Sequence, residues 1–214
     1  MAQLHILGPT FSTFVRSVML CCEEKGVSYT VGFEPDGQPI GRKSDEHFRL
    51  HPYGKVPVLI HGDRVIFETA VICRYIDAVF DGPSLQPEDL WERTQVDQTA
   101  AELALYVDQA LVRHLLLEFA FPKGENGTVR MDAVEQALPE ARRVLARVES
   151  LLGRSAFIAA DRYTLADALL TPMLDYLVGL PVGKDLIPEG GPLFRYIERM
   201  RARPSAAEVL KPRS

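Results

Sequence analysis

Three short groups near the start of the chain hold side chains and main-chain groups suited to binding chemistry. The first is Gly8-Pro9-Thr10-Phe11-Ser12-Thr13-Phe14, which joins a strand-like run to a helix-like one. A helix start offers free N–H groups and the positive end of its dipole to an anion. Ser12 and Thr13 can each donate a hydroxyl hydrogen bond there to an oxyanion or a thiolate; the plain alternative is that one of them caps the helix. In the second group, Val56-Pro57, a proline opens a strand. The Val56 N–H and C=O can then pair with the main chain of an extended peptide, and the bond before Pro57 is either cis or an ordinary trans one. The third, Glu68-Thr69, stands where a strand passes into a helix. Glu68 can hold an ammonium group while the Thr69 hydroxyl and N–H receive a carboxylate, or Thr69 caps the helix beside a solvated Glu68.

The elements that would position these groups follow from periodicity. Leu4-His5-Ile6-Leu7 reads as a strand stopped by Gly8-Pro9. Val15, Val18, Met19 and Cys22 recur at helical spacing up to Gly26. Residues 28–33 read as a second strand, 34–41 as a loop, and 42–50 as a short, irregular polar helix. Val58-Leu59-Ile60 and Val65-Ile66-Phe67 form a hairpin, and Ile72, Tyr75, Ile76 and Val79 mark a helix. The order β-α-β-(α)-β-β-α implies a mixed sheet with helices packed on it. Turn formers make 81–87 a linker, and the remainder is helical. Val96, Ala100, Leu103, Val107, Ala110 and His114 line a long helix that starts near Glu88 and ends before Pro122. Val134 to Leu152 supply another, with a kink or break expected at Pro139. Thr164 and Asp167 form an acidic capping box, 191–203 give a last short helix, and the tail from Pro204 is left unassigned.

Composition bounds the function. The 214 residues are 47% apolar and 25% charged, which excludes disorder as the main state. A net charge of −5 without a basic run argues against nucleic acid as a partner. No apolar run approaches the roughly 20 residues a bilayer-spanning helix needs, so no membrane partner is expected. The N-terminus carries no secretory pattern, and a cytoplasmic location is expected. Cys21, Cys22 and Cys73 read as reduced, buried thiols with no metal site among them.

Taken together, the motifs resemble those of cytosolic glutathione S-transferases of the serine type, phi-like or bacterial. Gly8-x-x-x-Ser12 with Arg16, then Tyr53-Gly54-Lys55-Val56-Pro57-Val58-Leu59, then Phe67-Glu68-Thr69-Ala70 resemble that family's amino-terminal half. Residues 157–167 resemble its helical-half capping motif. The resemblance implies a thioredoxin-like glutathione-binding domain over 1–80, a linker over 81–87 and an all-helical domain over 88–214 that contributes an electrophile site. It implies a homodimer, with glutathione as co-substrate and no metal. The cysteinyl main chain would pair with Val56 before a cis Pro57, Glu68 and Thr69 would hold the γ-glutamyl group, and Arg42, Lys43 and Lys55 would lie near the rest of the ligand. Ser12 falls on the serine that activates the thiol, with Thr13 as the other donor. A free thiol has a pKa of about 8.5, and lowering it by about two units needs roughly 2.7 kcal/mol of differential interaction.

The implied activity is thiolate attack on a small hydrophobic electrophile. Alternatives on the same fold are a glutathione-dependent isomerase, dehalogenase or peroxidase, or a non-catalytic binding module. The loop departs from members that carry cysteine at the Ser12 position or a Ser-Ser-Cys run. Tyr106, Val107, Ala110 and His114 are candidate walls for the electrophile, or plain core and interface positions. Arg16 reads as structural.

Overall fold

Alternation along the first strand already requires two covered faces, because Leu4 and Ile6 point one way and His5 and Leu7 the other. A computed structural model of the chain describes residues 3–210. Strands β1 (Leu4–Leu7), β2 (Tyr29–Gly32), β3 (Val58–His61) and β4 (Arg64–Phe67) form one sheet in the order β2-β1-β3-β4. β1 and β2 run parallel, joined by helix α1 (Thr13–Lys25), while β3 is antiparallel to both β1 and β4. Leu4, Ile6 and Leu59 join the main core with α1 and α3 (Thr69–Val79). Leu7 and Val58 join a small second cluster with Ile40, against which Phe33 and Leu50 pack. The second strand is thus shorter at both ends than the sequence suggests. The helix expected over 42–50 begins only at α2 (Asp45–Leu50), where Ser44 caps it by accepting the His47 N–H.

The helical half is organised around α4 (Leu90–Glu102), capped by Asp89, which accepts the Trp91 and Glu92 N–H groups at 2.9 and 3.0 Å. α4 continues without a break through a π-type stretch (Leu103–Leu116) into α5 (Leu117–Ala120). The single long helix read from the sequence is there, but its wider turns have no sequence signature. α6 (Met131–Leu152) passes through Pro139 unbroken. Pro139 lies on the exposed face, so the Glu135 carbonyl that it leaves unpaired meets water rather than the core. α7 (Leu165–Val178), α8 (Gly183–Leu186) and α9 (Pro192–Arg201) follow. Part of the tail left unassigned by the sequence is helix α10 (Pro204–Val209), held to α1 where Glu24 accepts from both Arg203 and Ser205.

One buried polar cluster fixes the linker and another organises the helical half. Lys25, at the end of α1, donates from Nζ to the Asp77 carbonyl and carboxylate at 3.0 Å and to the Pro83 carbonyl at 3.3 Å. The same Asp77 oxygen accepts the Leu85 N–H at 2.8 Å, which pins the linking segment against the sheet half. At the start of α7 the Asp167 carboxylate accepts from the Ile158 N–H, the Thr164 N–H, the Thr164 hydroxyl and the Tyr196 hydroxyl, realising the predicted capping box. The three cysteines are unpaired and buried. A hydrogen bond with Cys73, together with burial, pushes the Cys21 thiol well up, and burial does the same to Cys22.

Candidate functional site

The loop between β1 and α1 ends in Ser12, an extended residue at the cap of α1 whose Oγ accepts the Val15 N–H at 3.5 Å. That contact is long and uses only a lone pair, so the hydroxyl proton stays available to a ligand. Ser12 is half-buried, whereas Thr13, the first helical residue, is buried. Gly8 begins this loop with φ +144°. A Cβ there would stand 2.7 Å from Val15 and 3.0 Å from Val56. Only glycine lets the loop approach the 56–57 segment so closely.

The bond between Val56 and Pro57 is cis. Among the described residues neither the Val56 N–H nor its C=O has a hydrogen-bond partner, so both remain open to an added extended chain. β3 and β4 are paired from Val58 opposite Phe67, so Pro57 and Glu68 each directly adjoin the same end of the ladder. Glu68 sits at φ +71°, one of four non-glycine residues in the left-handed region, and its exposed carboxylate makes no hydrogen bond or ion pair among the described residues. Such a conformation costs on the order of 1 kcal/mol and points to a constraint beyond folding. Buried His51, whose ring lies 4.8 Å from Phe67, is kept below the usual imidazole range by desolvation, with the Glu68 carboxylate opposing.

Arg42, Lys43 and Lys55 are exposed, and none makes a direct ion pair among the described residues, although the Lys55 charge acts on the buried Asp108 carboxylate. Lys43, at φ +60°, is a second left-handed residue. The Gly8 loop approaches Val56, Leu7 and Phe67 both pair with Val58, and His47 bonds the main chain of both Lys43 and Lys55, so these segments adjoin one another at the end of β1 and the start of β3. No group of three or more His, Cys, Asp or Glu side chains among the described residues is arranged to hold a metal ion. No helix there is long and apolar enough to cross a membrane.

The four positions read as electrophile walls or as plain core and interface divide between core and surface. Val107 and Ala110 belong to the core, His114 is bonded to Gln109 on the surface at 2.7 Å, and Tyr106 lines a groove of about 740 Å³ between α4, the π-type stretch and α6. That groove includes none of the candidate ligand-binding residues. Next to Ser12 stand instead Phe11 and Phe121, both exposed, with ring centroids 6.2 Å apart. Tyr176 on α7 donates its hydroxyl to the Phe11 carbonyl at 2.8 Å. Arg16, as expected, is structural: it lies over the Tyr176 ring at 4.6 Å, donates to the Thr10 carbonyl at 3.1 Å and pairs with Asp175 at 3.5 Å. Sequence reasoning missed Phe121, Asp175 and Tyr176, because nothing local marks partners so distant along the chain.

Comparison with known proteins bears on the family and the fold. Residues 11–79 match the glutathione S-transferase N-terminal domain and residues 131–199 its C-terminal domain. Glutathione S-transferase F10 of Arabidopsis thaliana is 32% identical over 96% of this chain and 95% of its own length. Poplar glutathione transferase F1 superposes with a TM-score of 0.84 at 25% identity, covering 98% of this chain and 97% of that one. A theta class enzyme from Xanthomonas axonopodis pv. citri, solved with glutathione bound, superposes with a TM-score of 0.85 at 26% identity over 100% of this chain and 99% of that one. A thioredoxin-like sheet half carrying an open cis-proline edge, a helical half behind it and relatives matched along nearly their full length lead to one assignment: the chain belongs to the glutathione S-transferase family.

Proposed function

We propose that this glutathione transferase lays its tripeptide co-substrate along the open edge at Val56. The Val56 N–H and C=O pair with the cysteinyl main chain, Glu68 takes the γ-glutamyl ammonium, and the Thr69 hydroxyl and N–H take its carboxylate. Arg42, Lys43 and Lys55 face the glycine carboxylate. Ser12 donates its hydroxyl to sulfur, and the resulting thiolate attacks a small hydrophobic electrophile held beside Phe11 and Phe121. The observation that carries this reading is the Val56 main chain, left without a partner of its own before a cis proline and approached closely by the loop that bears Ser12. The reading places the domain boundaries at 1–80, 81–87 and 88–214 and the protein in the cytoplasm. A homodimer is supported by the exposed Leu90, Trp91, Leu105 and Tyr106 along α4 and the π-type stretch, beside the 740 Å³ groove.

Retention on immobilised glutathione and turnover of a generic aryl halide test binding and chemistry separately. The expected result is both. Retention without turnover of this or any other electrophile leaves only a binding module. Glu68→Ala is expected to weaken glutathione binding about 10- to 100-fold, the loss of a charge-assisted hydrogen bond to an ammonium group. Isothermal titration reads this directly, and unchanged affinity would remove Glu68 from the site.

A further inference from the structure

His47 is not among the residues that face the ligand, yet its ring joins the two segments that do. Its side chain is fully buried. Nδ1 accepts the Lys43 N–H at 3.0 Å, and Nε2 lies 2.9 Å from the Lys55 carbonyl oxygen. Because Nδ1 accepts, the proton sits on Nε2 and is donated to Lys55, so a neutral imidazole uses both ring nitrogens. The ring stands edge-on to Phe33 at 6.0 Å, and the His47 backbone N–H donates to the Ser44 hydroxyl oxygen.

Each bond acts on a main-chain feature of the site. The Lys43 N–H has no other partner among the described residues, and Lys43 is held at φ +60°, which L residues avoid. The bond to Nδ1 helps hold that left-handed turn and so aims the Lys43 side chain. The Lys55 carbonyl belongs to the same planar peptide unit as the Val56 N–H. This peptide is trans, so its C=O and N–H point in opposite directions. Turning the carbonyl toward His47 turns the Val56 N–H outward, to the edge where the ligand's cysteinyl carbonyl is placed.

We infer that His47 is a positioning residue that couples the two halves of the glutathione cradle, setting the Lys43 turn at the glycine end and the Lys55–Val56 peptide plane at the cysteinyl residue. This inference rests on the binding mode proposed above. It explains why a polar ring is buried between two surface segments, where an apolar side chain would pack but leave an N–H and a C=O without partners.

The test compares wild type, His47→Phe and His47→Gln with two thiols, glutathione and γ-glutamylcysteine, which lacks the glycine. His47→Phe keeps the ring volume and removes both hydrogen bonds. It is expected to raise KM for glutathione about tenfold with kcat within about twofold, as loss of two ordinary hydrogen bonds outside the reacting atoms would do. It should also reduce the preference for glutathione over γ-glutamylcysteine by at least about threefold, because the glycine subsite is the one that loosens. His47→Gln, whose amide nitrogen can replace Nε2 as donor to Lys55, should recover part of the KM and provides a second variant should the phenylalanine protein fold poorly. A folded variant with unchanged KM and unchanged thiol preference would overturn the inference, as would equal loss of kcat on both thiols with preference intact. Failure of wild type to bind glutathione at all would instead overturn the binding mode beneath it.

Discussion

Ser12→Ala is expected to lower kcat for conjugation about 100-fold while leaving KM for glutathione within about twofold, the signature of a hydrogen bond made to charge on the reacting atom. The hydroxyl stands at the start of α1, where the helix dipole adds to its effect on a thiolate. Without it, the thiol pKa should move back toward its free value of about 8.5, so the rise of rate with pH shifts upward by roughly one to two pH units. Stopped-flow titration of the bound thiolate absorbance between pH 5 and about 9.5 reads this shift independently of turnover. The helix itself should survive, because the Val15 N–H bond to Ser12 is long, and loss of such a cap costs about 1 kcal/mol at most. Turnover and thiol pKa unaffected in Ser12→Ala but lost in Thr13→Ala would transfer the role to Thr13.

Asp167→Asn is expected to destabilise the fold by about 3–4 kcal/mol, which for a chain this long lowers the melting temperature by roughly 10 °C. Four donors converge on the carboxylate, two on each oxygen. An amide keeps one acceptor oxygen and turns an NH₂ toward the other two donors, leaving buried polar groups without partners. The pH dependence has a definite sign. Burial pushes the Asp167 carboxyl up to about 6, with the hydrogen bonds pulling in the opposite direction. Between the ordinary carboxylate range and pH 6 the folded state therefore binds more protons than the unfolded state, and this group's contribution to stability falls as pH rises. The advantage of wild type over the asparagine variant should thus be larger at pH 4 than at pH 7, by roughly 2 kcal/mol. Denaturant melts of the two proteins at several pH values measure it. A constant difference would mean that Asp167 titrates normally.

Much of the candidate site was legible in the sequence because its residues sit at local punctuation marks. Ser12 stands at a strand-to-helix junction, Pro57 opens a strand, and Glu68 precedes a helix, so chain grammar alone predicts exposed polar groups there. The succession of four strands and their helices and the Thr164–Asp167 box were legible for the same reason. What escaped depended on contacts between distant elements. Phe121 meets Phe11 only after the helical half has packed, and Tyr176 reaches the Phe11 carbonyl across 165 positions. Periodicity set His114 on the core stripe with Val107 and Ala110, but in the π-type stretch that position is turned outward, to Gln109 on the surface. Pro139 led to a kink or break being expected because its residue type is visible in sequence while its solvent-facing position is not.

The tether between Tyr176 and Phe11, with Arg16 and Asp175 beneath it, also bears on how such chains can recombine. The loop bearing Ser12 is encoded in the sheet half but takes its bearings from α7. A graft exchanging the helical half between relatives would therefore deliver an intact glutathione edge and a misaimed hydroxyl unless Asp175 and Tyr176 travelled with it. The two halves are distinct architectures, but the aim of the Ser12 loop depends on both.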